Sequence, residues 1–552
     1  MTRRSGRSAF LELLKSEGIT HLFGNPGTTE LPIMHALADH PELTYVMGMQ
    51  ESVVVAMADG FSRASGRLSA ANVHVAPGLG NAMGALFGAK FTRTPMILTA
   101  GQQEQGHGLR EPLLYDSLVR MAEPLVKWAV EPTRLEDLPR IVHRAAKIAR
   151  TPPTGPVFIS LPGDILNAEA ELDLGAPTHI DAVTRPTERA LDGFVRRILA
   201  AERPVMIVGD ELVAGDALAA AGLFALALGC PVYQQSIPFG AHFLSEHPCF
   251  IGALSRNQPH CREVLEAFDL MIAFGSDPIR MSVDHPVDPL PPGMPIVQVG
   301  QVDWDIGKNY PVEIALRADV RETLLALVDR IAALGGAAQT QRAQSRVAAL
   351  AADNWTARRQ RLVRTIESHA ARRPVDQDWL LLKTIEALPA NAIFVEESLT
   401  AARHIPALLA YRDRYGFHGL ASGGIGWGLP GAVGASLANP GRPVVCFTGD
   451  GSAMYTFQAL WTAVHHRLPL SVVLINNGGY RIIKQRLLAF HGSRQFVGMD
   501  FADPSIDFVQ MARALGAEAE RIEDPAELAN CLHAAFRRPG TRLIEVIVDG
   551  TV

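Results

Sequence analysis

Residues able to do chemistry gather in one stretch. Residues 443–480 read PVVCFTGDGSAMYTFQALWTAVHHRLPLSVVLINNGGY. Asp450 and Asn477 are hard oxygen donors 27 residues apart, and Gly449, Gly451, Gly478 and Gly479 flank them. Such oxygens suit Mg²⁺ or Ca²⁺, and Mg²⁺ commonly shares its octahedral shell with phosphate oxygens. Glycines let backbone approach a bulky anion. A helix beginning at Gly451-Ser452-Ala453 would add free N–H groups and the positive end of its dipole. The combination predicts a site for a divalent cation plus a diphosphate.

The elements that must position these residues are legible too. A strand is expected over 444–448 and another over 471–475. Between them Met454, Phe457, Leu460, Trp461 and Val464 fall at helical spacing, predicting one helix with an apolar face. In such a βαβ unit both strand C-termini lie at one sheet edge, where ligands bind. A bare Gly-Asp-Gly is an ordinary turn. Its pairing with Asn-Asn-Gly at the other end of the same unit is far more specific.

The same alternation runs through the chain. Short apolar runs stand at 21–24, 45–49, 69–75, 95–100 and 155–161, then at 203–209, 230–235, 270–275 and 295–300, then at 392–398, 443–449, 470–477 and 542–548. Runs this short between helical spacers read as buried parallel strands. Three doubly wound α/β domains are expected, over 1–180, 190–335 and 375–552. Residues 174–188 read as a linker, and 336–374 as surface helices and a connector. Within the first block, Glu51 follows the strand-like YVMGM, and His74 ends another strand before a glycine-rich turn over 76–80. Taken alone, a helix-capping glutamate and a structural histidine would be ordinary.

Composition narrows the class. The chain has 552 residues, 48% apolar and 20% charged, with a net charge of −6. That balance argues against a generic nucleic-acid binder, which needs a basic surface. The five cysteines are scattered without a C-x-x-C pair, so neither a disulfide framework nor a zinc site is expected. No apolar run is long enough for a membrane span, and the N-terminal segment reads as an amphipathic helix rather than a signal peptide. A cytoplasmic protein without membrane partners is expected.

GDG, an interval and NN together resemble the diphosphate motif of thiamin-diphosphate (ThDP) enzymes. FGNPGTTELP (23–32), MQESVVVAMADGFSRAS (49–65), NVHVAPGLGNAMGAL (72–86), TAGQQ (99–103), PLVKWAVEP (124–132) and SGGIGWGLPGAVGASLA (422–438) resemble ThDP-dependent decarboxylases of the benzoylformate decarboxylase type. The middle block is similar in RPVMIVG and HPCFIG. The three expected domains would then be pyrimidine-binding, middle and diphosphate-binding.

The resemblance implies a set of roles. Asp450, the Asn477 side chain and the Gly479 carbonyl would ligate the metal. Gly451, Ser452, Tyr480, Leu399 and Thr400 would lie along the cofactor. Glu51 would face the aminopyrimidine ring nitrogen, the Gly423 carbonyl would accept from the 4′-amino group, and Ile425 would wedge the cofactor into its bent form. His74 would hold the substrate carboxylate or move a proton. Thr28, where these decarboxylases have serine, would keep a hydroxyl in a tighter pocket.

Nearer the substrate, His107, Leu113 and Leu114 fall in the expected pocket loop. A second histidine of the family falls in SDPIRMSVDHP (276–286), at Ser282 or His285. Ile482 and Arg486 would restrict the pocket or recognise a second anionic group. The family builds each site from two chains, so a homodimer at least, and a homotetramer commonly, is implied. Acetolactate synthases also hold FAD in the middle domain. Residues 190–335 contain no G-x-G-x-x-G, so FAD is not expected. Three functions follow: a 2-keto acid decarboxylase, a carboligase or lyase of acetolactate synthase or benzaldehyde lyase type, or a non-catalytic subunit.

Overall fold

The structure is a computed structural model and describes residues 2–552. It contains three six-stranded sheets, each wholly parallel. The first runs Thr44–Met47, His21–Gly24, Ser69–His74, Met96–Gln102, Pro156–Pro162, Ala129–Val130. The second runs Phe250–Ala253, Val232–Gln234, Pro204–Val208, Leu270–Phe274, Ile296–Gly300, Ile314–Arg317. The third runs Phe417–Gly419, Ile393–Glu397, Val444–Gly449, Leu470–Asn476, Arg542–Ile547, Glu518–Ile522. Helices cover both faces, so central strands such as Val-Val-Cys-Phe-Thr (444–448) are fully buried and read as unbroken apolar runs. A small antiparallel pair joins Thr2–Ser5 to Glu169–Leu172.

One apolar core spans the first and third sheets. It is built around the helix Glu51–Ser65 and the helix Gly428–Ala438. These two helices meet through glycines: a Cβ on Gly60 would lie 2.2 Å from the Gly431 oxygen, and one on Gly434 2.0 Å from the Met57 oxygen. Only residues without a Cβ permit so close a crossing. The middle sheet has its own core.

Several expectations need correction. The 336–374 connector is, as expected, mostly exposed helix, but it is anchored to the cores at a few points. The helix Val320–Leu350 continues past Gly336, whose φ of +57° breaks the helical path, and the helix Trp355–Glu367 follows. Trp355 and Ala343 are buried, with Trp355 in the middle core, while Ile366 is buried in the third. The glycine-rich segment 76–80 is not a turn but part of the helix Val75–Phe91. The single helix expected after Gly451 is instead a one-turn helix, Asp450–Ala453, a run of turns, and the helix Ala459–His465. The cause is local: the Thr456 hydroxyl donates to the Gly426 carbonyl at 2.8 Å, and the backbone from Tyr455 to Trp461 uses tight three-residue bonds. The dipole available near Asp450 is therefore that of a single turn. All five cysteines are free. Among the described residues no helix is long and apolar enough to cross a membrane.

Candidate active site

Asp450 sits where the strand Val444–Gly449 ends, and Asn477 follows the end of its neighbour Leu470–Asn476. The parallel pairing brings them together as the sequence predicts. Asp450 is buried, and its Oδ2 accepts backbone N–H bonds from Asn477 (3.0 Å), Gly478 (2.8 Å) and Gly479 (3.2 Å). Its Oδ1 accepts from the Gly451 N–H at 2.7 Å. Burial still raises the carboxyl to about 6, against the pull of those four donors.

Beside it the Asn477 Oδ1 is buried and accepts no hydrogen bond. A buried carbonyl left without a donor is unfavourable unless something fills the gap. The Gly479 carbonyl accepts from the Arg481 N–H at 3.0 Å and keeps a second lone pair. Carboxylate, amide oxygen and backbone carbonyl form an all-oxygen donor set that fits a hard divalent cation.

Leu399, Thr400, Ile425, Asp450, Gly451, Ser452, Asn477, Gly479, Tyr480 and Ile482 all wall one cleft. A Cβ on Gly451 would lie 2.8 Å from the Tyr480 ring, so glycine keeps this floor open. Tyr480 itself is held edge-on against Phe501, centroid to centroid 4.9 Å. Glu397, which sequence reasoning missed, organises the cleft from behind. It is buried, accepts the backbone N–H groups of Gly426 and Gly428, and meets the Ser452 hydroxyl. Burial pushes its carboxyl up to about 8. Those bonds fix the bend around Ile425, where Gly423 and Gly426 take φ of +80° and +100°.

Glu51 lies elsewhere, as the first residue of the helix Glu51–Ser65. The cap is not Glu51 but Gln50, whose Oε1 accepts from Ser52 and Val53 N–H. Glu51 is only 8% exposed. The Asn25 amide donates to its Oε1 at 3.3 Å and the Asn81 amide to its Oε2 at 3.1 Å. His74 ends the strand Ser69–His74, with its Nδ1 2.7 Å from Glu30 Oε2 and 3.1 Å from the Thr29 hydroxyl. Glu30 is fully buried and also accepts from the Gly101 and Gly27 N–H groups at 2.8 and 3.0 Å. The glutamate three residues after Gly27 was the available signal, since at that spacing its carboxylate reaches back to the Gly27 N–H, the one half of a capping box that a glycine cap allows. Thr28 is exposed on the same turn, and it is Thr29 that touches His74.

The residues that wall the Asp450 cleft all fall between 398 and 482, and Glu51, His74, Thr28 and Gly423 are not among them. His107 is exposed, Leu113 is 85% exposed, and Leu114 is half-buried at φ +72°. Ser282 and His285 are exposed outside the cleft, and His285 Nδ1 accepts from the Val287 N–H at 3.0 Å. Arg486 is exposed on the helix Arg481–His491, one turn beyond Ile482.

Comparison with known proteins decides the family. Three family models match, described as thiamine pyrophosphate enzyme: N-terminal TPP binding domain over 4–113, central domain over 191–327 and C-terminal TPP binding domain over 398–546. The chain belongs to the thiamine pyrophosphate enzymes. It is 33% identical to a benzoylformate decarboxylase of Pseudomonas aeruginosa over 544 residues, 98% of each protein. It is 28% identical to a putative acetolactate synthase large subunit of Mycobacterium tuberculosis, over 99% of this chain and 100% of that one. Its fold matches the ThDP-dependent 4-hydroxybenzoylformate decarboxylase of Rhodococcus jostii RHA1 with a TM-score of 0.86 at 29% identity, over 99% of both chains. This is a ThDP enzyme of three α/β domains, and both halves of the geometry above fall within the matched TPP-binding segments.

Proposed function

We propose that the protein catalyses the ThDP- and Mg²⁺-dependent, non-oxidative decarboxylation of a 2-keto acid, aryl or branched, consuming one proton and releasing an aldehyde and CO₂. The observation that carries the reading is the orphaned Asn477 Oδ1 beside the Asp450 carboxylate, at the one cleft that also holds Ile425. Asp450, Asn477 and the Gly479 carbonyl would hold Mg²⁺, and Gly451 and Ser452 would face the diphosphate. When bound, ThDP supplies a nucleophilic carbon and an electron sink for the departing carboxylate. Glu51 holds a proton against the pyrimidine ring nitrogen, and the amides of Asn25 and Asn81 fix its two oxygens for that contact. Glu397 holds the 423–428 bend, so that the Gly423 carbonyl and the Ile425 side chain are preset rather than ordered on binding. His74, oriented through Nδ1 by Glu30, presents its other nitrogen for proton transfer.

The working site is assembled from two chains, with a homodimer as its minimum; Glu51 lying outside the Asp450 cleft of its own chain supports this reading. A second reading, carboligation, draws on the acetolactate-synthase-like relative. The test is to load the protein with ThDP and MgCl₂ and supply benzoylformate and branched 2-keto acids. Stoichiometric CO₂ and aldehyde are expected. A 2-hydroxyketone with no free aldehyde would transfer the assignment to a carboligase.

A further inference from the structure

The bend that carries Gly423 and Ile425 is gripped a second time, from another domain. It leaves the strand Phe417–Gly419 and ends where the helix Gly428–Ala438 begins. Its apex is exposed at Gly423 and Gly424. Glu397 and Thr456 hold its far side, at Gly426 and Gly428.

The second grip comes from the helix Glu51–Ser65. Arg63 reaches both ends of the bend. Its Nη2 donates to the Gly419 carbonyl and to the Phe239 carbonyl of the middle domain, each at 3.0 Å. Its guanidinium carbon lies 4.2 Å from the centroid of the Trp427 ring. Asp59, one turn earlier on the same face, accepts from the Trp427 indole N–H at 2.6 Å through Oδ2, which lies 3.7 Å from Arg63 Nη1. Its Oδ1 accepts from the Thr92 hydroxyl at 3.3 Å and from the Thr94 hydroxyl. The pair is enclosed, with the side chains of Asp59 and Arg63 only 1% and 10% exposed. The Phe239 carbonyl also accepts from the Gly419 N–H at 2.9 Å, so three domains meet at this corner.

An ion pair buried this deeply adds little net stability over apolar residues of the same volume. What it supplies is direction: the planar fork and the carboxylate each fix where their partners lie. Direction matters here, because glycines at 423, 424 and 426 leave the bend free to move unless its ends are pinned. A shift of about 1 Å far from the chemistry can slow a reaction by about 100-fold. We propose that Asp59 and Arg63 are positioning residues for cofactor activation. They pin Gly419 and Trp427, and so hold the Gly423 carbonyl and the Ile425 side chain where the bent cofactor needs them. The inference rests on the role given to that bend above and adds the first domain of the same chain to it.

Arg63→Lys keeps the charge and loses the planar fork. Trp427→Phe keeps a ring and loses the indole N–H. Backbone amide exchange over 420–427, read by mass spectrometry in the cofactor-free full chain, should quicken by roughly 10-fold in each variant, the factor for one lost hydrogen bond, while the sheet cores stay protected. With ThDP and Mg²⁺ saturating, hydrogen–deuterium exchange at the cofactor's reactive carbon and kcat should fall together by roughly 10–100-fold, with KM within about twofold. A staple that only joins domains would lower the urea midpoint and leave the carbon's exchange alone. The proposal is overturned if 420–427 exchanges as in the parent protein, or if it quickens while the carbon's exchange at saturating ThDP is unchanged. Should Arg63→Lys fail to fold, Trp427→Phe decides alone, since it removes one bond and no charge. Failure of the decarboxylase reading looks different: no aldehyde from any 2-keto acid would leave both exchange measurements, which need no substrate, as they are.

Discussion

Two buried glutamates beside the first sheet hold different partners, and substitution should separate their tasks. Glu51 is held by two amide donors and has no ion-pair partner among the described residues. Glu51→Gln keeps the shape but removes the charge that would retain a proton at the pyrimidine ring. ThDP uptake should survive, while kcat and the rate of hydrogen–deuterium exchange at the cofactor's reactive carbon should fall by roughly 100-fold or more, the general acid–base contribution. Glu30 is bonded to His74 and to two backbone N–H groups, not to the cofactor cleft. Glu30→Gln should therefore leave the exchange rate intact and lower kcat by about 10–100-fold through a misoriented imidazole. Equal loss of exchange in both variants would contradict the division. Asp450 and Asn477 were legible in sequence because one topological rule places both strand ends at the same edge. Glu397 was not, because its partners in the 426–428 backbone are distant in sequence and no pattern announces the bond; for Glu30 the spacing from Gly27 marked only the local bond, and nothing announced the one to His74, 44 residues away.

At the scale of elements, the crossing of Glu51–Ser65 with Gly428–Ala438 couples the helix that presents Glu51 to the bend that carries Ile425. In an isolated helix Gly→Ala is stabilising by about 1 kcal/mol. Here a Cβ on Gly434 would meet the Met57 carbonyl oxygen at 2.0 Å, so Gly434→Ala should reverse that sign and destabilise by about 1–3 kcal/mol, as overpacking does. Urea denaturation measures it, and a neutral or stabilising result would mean that the helices can slide apart. The sequence located the strands unevenly for a related reason. Every run it marked is a strand of one of the three sheets, and the strands it passed over (Ala129–Val130, Phe250–Ala253, Ile314–Arg317, Phe417–Gly419 and Glu518–Ile522) all lie at sheet edges. Edge strands are short and one-sided; Glu-Ala-Glu-Arg-Ile at 518–522 buries only its last residue. Nothing there forms the continuous apolar run by which a central parallel strand is recognised. The broken helix after Asp450 was hidden too, because the Thr456 bond that interrupts it reaches a carbonyl 30 residues away.

For the whole molecule, buried ionisable groups set how stability depends on pH. Burial holds Glu397 at about 8 and Glu211 at about 7, so the folded chain keeps protons that the unfolded chain releases above about 4.5. Burial also lowers His21 and His242 to about 4, so the folded chain refuses protons that the unfolded chain takes up below about 6.5. Below that pH the two effects oppose. Above it the histidines are neutral in both states and the carboxyls dominate until Lys127, which burial lowers to about 8, begins to oppose them, so the cofactor-free protein should lose stability as pH rises from about 6.5 to 8, by on the order of 1 kcal/mol per pH unit and least near pH 8. Urea midpoints across that range test it, and Glu211→Gln should flatten the slope. The assembly of the site is a sharper question. If Glu51 serves the cleft of a second chain, Glu51→Gln and Asp450→Asn proteins, each inactive alone, should regain activity when refolded together. In a mixed dimer one site inherits both lesions and the other neither, so random pairing gives roughly a quarter of wild-type activity. If each chain instead completed its own site, every site in the mixture would carry one lesion and refolding would restore nothing. The two architectures therefore predict opposite results from the same two variants.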